Sequence, residues 1–257
     1  MNDTWWVDPS QLDDDQKRVV QLRPDKSLLV VGPPGSGKTN LLLLRARYIA
    51  RSGSPNIQII VFTRTLQEFL CLGGAAYKVE SDHIKTLTAW AMKFLASYGI
   101  TPETKANFQA QRKSLILQIK QLIQDKRLES VYDLILLDEA QDYNEEEVEV
   151  FATLARNIFA VADTRQQIYK SGNSLKALEN HVDEIHALNF HYRNGFNICR
   201  LAEEVLIDAS FPRYMSSASN YDEDETPSSV AAIRCTSFEE QCDNCHGRAE
   251  RAPFGAS

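Results

Sequence analysis

Gly32-Pro33-Pro34-Gly35-Ser36-Gly37-Lys38-Thr39 is a run of residues that can wrap a chain of phosphates. It fits the pattern G-x-x-x-x-G-K-[ST]. Its glycines permit a tight turn that aims backbone N–H groups at anionic oxygens. Lys38 would bring a point charge to the β- and γ-phosphates, and Thr39 a hydroxyl to Mg²⁺. Asn40 opens the stretch that follows, which has neither Gly nor Pro up to residue 51 and reads as a helix. A phosphate at the N-terminus of that helix is favoured by the helix dipole. The apolar run 28–31 before the loop reads as a buried parallel strand.

A second constellation lies a hundred residues on. Asp133-Leu134-Ile135-Leu136-Leu137-Asp138-Glu139-Ala140-Gln141-Asp142 is an apolar strand ending in two adjacent carboxylates. Two acids allow two tasks. Asp138 can hold the Mg²⁺ shared with Thr39, and Glu139 can face the water that attacks the γ-phosphate. The ligand expected is a nucleoside triphosphate, with Mg²⁺ as its cation.

These residues need a frame. Apolar runs at 28–31, 58–62, 84–87, 134–137, 158–162 and 185–188 read as strands. Helical patterns alternate with them at 11–21, 40–51, 66–72, 89–97, 106–124, 145–156 and 197–207. Such alternation, with nearly continuous apolar strands, implies an α/β fold with a mostly parallel sheet and helices on both faces. The break at Gly99-Ile100-Thr101-Pro102 sets off a basic helical insertion, about 102–128, expected to pack outside the sheet. Its Lys105, Arg112, Lys113, Lys120, Lys126 and Arg127 read as a solvated face, with phosphate contact as the alternative.

The 257 residues, 43% apolar, suffice for one large domain plus a fragment of another. No apolar run approaches the ~20 residues of a membrane helix. The N-terminal residues have no secretory pattern, so the chain is expected in the cytoplasm. A net charge of −7 leaves nucleic-acid contact to a local patch. Residues 213–229 read as an acidic linker and 230–235 as a further strand. Cys71 and Cys199 lie in apolar patterns and are read as reduced core residues. Cys242-Asp243-Asn244-Cys245-His246 matches a haem-attachment pattern, but nothing directs export. That run is read as a frayed tail, with zinc on Cys235, Cys242, Cys245 and His246 left open.

Asp-Glu-Ala-Gln-Asp resembles the second motif of superfamily 1 DNA helicases of the UvrD/Rep/PcrA-like group, and other segments fall in that family's order over about 11–207. Leu12-Asp13-Asp14-Asp15-Gln16 resembles its glutamine motif, which implies that Gln16 reads adenine through an amide that both donates and accepts. Ile60-Val61-Phe62-Thr63-Arg64 and Lys85-Thr86-Leu87-Thr88-Ala89-Trp90 resemble segments that contact single-stranded DNA. The resemblance thus implies Phe62, Thr63, Arg64 and Thr86 as contacts, with Thr88 where His is usual. A core-strand role for Phe62 stays open. Within Asp163-Thr164-Arg165-Gln166-Gln167-Ile168-Tyr169, Gln167 would sense the γ-phosphate and Tyr169 would lie near a base. Asn189-Phe190-His191-Tyr192-Arg193 resembles an Asn-Tyr-Arg motif. It implies that Arg193 reaches the γ-phosphate, and His191 is read as a packing residue.

The resemblance implies a RecA-like ATP-binding domain over 1–212, hydrolysing ATP to move 3′-to-5′ on single-stranded DNA, in DNA repair among other settings. Residues 230–257 would be the start of a truncated second domain or a disordered tail. The ATP cleft needs a second RecA-like domain or a partner subunit to close it. In isolation the chain is therefore expected to turn over slowly and not to unwind. Two alternatives are a nucleotide-binding regulatory module and another P-loop phosphoryl-transfer enzyme.

Overall fold

The computed structural model describes residues 6–53, 56–163, 174–205, 215–231 and 234–237. Six strands form one parallel sheet: β1 (Leu28–Val31), β2 (Ile57–Val61), β3 (Ile84–Thr86), β4 (Tyr132–Leu137), β5 (Ala155–Ala162) and β6 (Glu184–Ala187). Their order is β3-β2-β4-β5-β1-β6. Eight α-helices are described: α1 (Asp14–Gln21), α2 (Lys38–Arg51), α3 (Arg64–Tyr77), α4 (Leu87–Ser97), α5 (Phe108–Lys126), α6 (Glu145–Leu154), α7 (Ser174–Glu179) and α8 (Phe196–Val205).

Strand side chains alternate between two cores, as the pleat requires. Leu28, Val30, Ile59, Val61, Leu134, Leu136, Phe159 and Val161 face α1, α2 and α3. Leu29, Ile60, Ile135, Leu137, Ile158 and Ala160 face α4, α5 and α6, where Trp90 and Phe151 are wholly enclosed. The central strands are thus covered on both sides and mostly apolar, while the edge strand β6, Glu-Ile-His-Ala, stays largely exposed. No described helix is long and apolar enough to cross a membrane.

The expected elements are present, with instructive shifts. The helix read at 66–72 runs on to Tyr77, through Gly73-Gly74. Gly73 does not break the helix; it leaves room for the Trp6 indole, which any side chain there would strike. The helix read through 156 ends at Leu154, because Ala155 is extended and pairs with Tyr132. Helix α7 was not anticipated, and its six residues are too few for a periodic signal. The described part of 230–235 forms no strand.

Helix α5 belongs to the helical layer with α4 and α6. Leu115, Ile116, Ile119 and Leu122 are buried in the same core as α4 and α6. Arg112 corrects the reading of a solvated basic face: its side chain is 5% exposed and forks onto Glu147, which is fully enclosed.

Candidate active site

A parallel sheet delivers all its strand C-termini to one edge, which is where ligands of such sheets bind. The phosphate loop follows β1 and Asp138 follows β4, with β5 between them. The loop leaves the sheet in register, Gly32 N–H donating to Ala162 O at 3.2 Å. Gly35 and Gly37 take φ of +80° and +81°, a region that disfavours side chains. Gly37 is the N-cap of α2 and supplies no side-chain cap, so the first-turn N–H groups remain for an anion. Lys38 Nζ donates to Gly32 O and Pro33 O, both at 2.9 Å. Burial lowers its pKa, opposed by Asp163, Glu139 and Asp138. The ammonium is thus partly desolvated and held by two loop carbonyls, as a phosphate ligand should be.

Thr39 Oγ1 donates to Asp138 Oδ2 at 3.1 Å, and Glu139 N–H donates to Asp138 Oδ1 at 3.0 Å. Asp138 is 1% exposed. Burial, then repulsion from Glu139, pushes its carboxyl up to about 7. A buried acid this reluctant to ionise fits a site meant for a cation, and Ser36 Oγ is a buried hydroxyl with no partner among the described residues. Magnesium takes oxygen ligands, commonly one or two protein groups plus phosphate and water. Thr39 and Asp138 match that sparse set. Among the described residues no cluster of three His, Cys, Asp or Glu offers a fuller cage.

The raised pKa of Asp138 predicts a pH effect. The folded chain keeps a proton that the unfolded chain releases near pH 4. Stability from this group therefore falls as pH rises from about 4 to about 7. Asp138→Asn has no such proton. Its stability relative to wild type should improve by about 1–3 kcal/mol between pH 5 and pH 8. Urea unfolding without nucleotide or magnesium measures this, and a pH-independent difference contradicts it.

Glu139 is half-buried, with φ 48° and ψ 50°. Its Oε2 accepts from Gln141 Nε2 at 2.8 Å, and Gln141 Oε1 accepts from Asp163 N–H at 3.0 Å. Gln141 thereby ties the acid to the end of β5, a role its place in the motif did not announce. Asp163, 2% exposed, is a further acid that raises the proton affinity of Lys38 and was given no task above.

Gln16 and Arg193 also come to the loop. Gln16 Nε2 donates to Ser36 O at 3.0 Å and its Oε1 accepts from Asp13 N–H at 3.2 Å. An amide has four hydrogen-bonding positions, and these use two. Tyr192 N–H donates to Gly35 O at 3.0 Å. A Cβ on Gly35 would come within 2.8 Å of Arg193 Cβ, so Arg193 emerges at the mouth of the loop. Asn40 is turned to Tyr77, whose hydroxyl donates to Asn40 Oδ1 at 3.2 Å. Gln167 and Tyr169 lie outside the described residues, as do Cys242, Cys245 and His246.

Phe62, Thr63, Arg64 and Thr86 share this edge, at the ends of β2 and β3. The two hydroxyls already have local work. Thr63 Oγ1 accepts from Leu66 N–H to cap α3, and Thr86 Oγ1 accepts from Ala89 N–H to cap α4, each at 3.2 Å. Phe62 is half-buried beneath the Arg112 guanidinium, 4.9 Å from the ring centroid. Arg64 is exposed beside Glu68. His191 is fully buried, its Nε2 2.7 Å from Met215 O, in keeping with a packing role.

A phosphate loop at the end of β1, an Asp–Glu pair at the end of β4 and a parallel sheet between two helical layers define a P-loop NTPase of RecA-like fold. The chain belongs to the AAA domain family, which matches it over residues 16–172. Many solved structures resemble it, among them two helicases. Pif1 helicase from Candida albicans is 18% identical with a TM-score of 0.48, the match covering 95% of this chain and 55% of that one. The helicase domain of Pyrococcus furiosus Hef is 15% identical with a TM-score of 0.44, covering 70% of this chain and 38% of that one. The chain therefore spans about half the length of the first and less of the second. None of the curated proteins compared with it matches.

Proposed function

We propose that the chain is the ATP-hydrolysing domain of a helicase. It would act on single-stranded DNA in the UvrD manner, 3′-to-5′, in the cytoplasm, with a second RecA-like domain or partner subunit completing the cleft. The observation that carries this reading is the Thr39–Asp138 hydrogen bond, with Glu139 beside it and held by Gln141. It brings together the two side chains, one from each loop, that would hold the Mg²⁺ of a bound triphosphate.

The residues divide the work by position. The N–H groups at the start of α2 bind phosphate oxygens, and Lys38 exchanges its loop carbonyls for the β- and γ-phosphates. Thr39 and Asp138 would hold Mg²⁺, which when bound neutralises charge on those phosphates. Glu139 Oε1 and Oε2 orient the attacking water and take its proton. Arg193 reaches the γ-phosphate from the mouth of the loop and stabilises charge there. Exposed Arg64 and the Phe62 face give the same edge a cation and a ring for a nucleic-acid strand.

The test is ATP binding and phosphate release with and without single-stranded DNA. Wild type should bind ATP and hydrolyse it slowly, faster with DNA. Lys38→Ala should weaken ATP about 10–100-fold, the loss of one or two charge-assisted hydrogen bonds. Equal affinity in the two proteins would refute the site.

A further inference from the structure

The segment carrying Arg193 is gripped from two sides. On one side is the phosphate-loop layer. Tyr192 N–H bonds Gly35 O, the Tyr192 hydroxyl bonds the Asp13 carboxylate, and Asn189 Nδ2 donates to Asp15 Oδ2 at 3.2 Å. On the other side are residues 215–231, which form no helix or strand but return across the start of α8. His191 N–H donates to Ala218 O at 3.0 Å, Asn220 N–H to His191 O at 2.8 Å, and Ser219 Oγ to Asn194 O at 2.8 Å.

Glu223 closes this grip. One carboxylate oxygen accepts from Phe196 N–H at 2.6 Å and from the Ser228 hydroxyl; the other accepts from Ser228 N–H at 2.6 Å. Phe196 is the first residue of α8, so a carboxylate 27 residues away serves as that helix's cap. Gly195 lies under Ser228, where any side chain would overlap it. The arginine segment, the helix start and the returning segment therefore move as one unit. Arg193 is exposed, and this unit sets where its backbone lies relative to the phosphate loop.

We infer that residues 215–231 act as a strap and that Glu223 is a positioning residue, fixing Arg193 at the mouth of the phosphate loop for recognition of the γ-phosphate. The inference rests on the reading of Arg193 as a γ-phosphate contact. A charge-assisted contact held on a long side chain is lost when its backbone shifts by about 1 Å. ADP has no γ-phosphate, so the strap should matter for ATP alone.

The experiment compares affinities for a ribose-labelled fluorescent ATP and the matching ADP. Glu223→Ala should weaken ATP about five- to tenfold and leave ADP within about twofold. Gly195→Ala, which wedges the strap from beneath, should do the same. In an Arg193→Ala background neither substitution should weaken ATP further. A loss shared equally by ATP and ADP, no loss in either variant, or an undiminished loss without Arg193 overturns the proposal. A wild-type chain that binds neither nucleotide overturns the reading beneath it, and the strap's role with it.

Discussion

Glu139→Gln should bind ATP as wild type does, within about twofold, and release phosphate about 10²–10³-fold more slowly. The two carboxylates after β4 differ in environment, and that sets the division of labour. Asp138 is enclosed and bonded to Thr39; Glu139 is half-buried and accepts at Oε2 from Gln141. An amide at 139 keeps the size and can still accept from Gln141 Nε2, so the turn should hold its shape. It cannot take a proton from water. Binding depends on the loop amides and Lys38, which the change does not touch. Fluorescent ATP titration and a phosphate-release assay separate the two quantities. Unchanged turnover would reject Glu139 as the base, and lost binding would show that it serves the fold instead.

Arg112→Met should cost about 3–5 kcal/mol of stability, the range for stranding one member of a buried ion pair. Its guanidinium bonds both Glu147 oxygens, donates to Asp142 O at 3.0 Å and covers the Phe62 ring. Methionine fills much of the volume but leaves Glu147 enclosed without its ion-pair partner. Glu147 also accepts from Asn144 N–H at 2.9 Å, closing the capping box of α6. Replacing both members, as Arg112→Met with Glu147→Leu, should recover most of the loss, short of about 1 kcal/mol for the cap. Urea midpoints of the three proteins decide this. A single variant within about 1 kcal/mol of wild type would show that the pair is not the anchor of α5.

The contrast between these two predictions shows what the sequence could reveal. Residues 32–39 and 138–139 are legible because their chemistry is local: a loop and a strand end each carry their function within a few positions. Strand β1 is read to the residue, since its apolar run is bounded by polar and glycine residues. Arg112 is opaque because its partner is 35 positions away, and a lysine- and arginine-rich helix usually faces water. Gly73-Gly74 reads as a break because nothing local announces that Trp6 will need the space. Gln141 stands inside the recognised motif, yet only the fold brings Asp163 to its other end. Thr63 and Thr86 carry a second role that their place in a motif does not announce, since each hydroxyl accepts the N–H that closes a helix end.

Glu139 is one of four non-glycine residues with positive φ among those described, and it sits in the left-handed region that costs a residue with a Cβ about 1–2 kcal/mol. Glycine or asparagine would occupy that backbone more comfortably. Selection of this chain for heat tolerance alone should therefore drift toward Gly or Asn at 139, yielding hardier proteins that no longer turn over. Thermal robustness and hydrolysis compete here for the same residue.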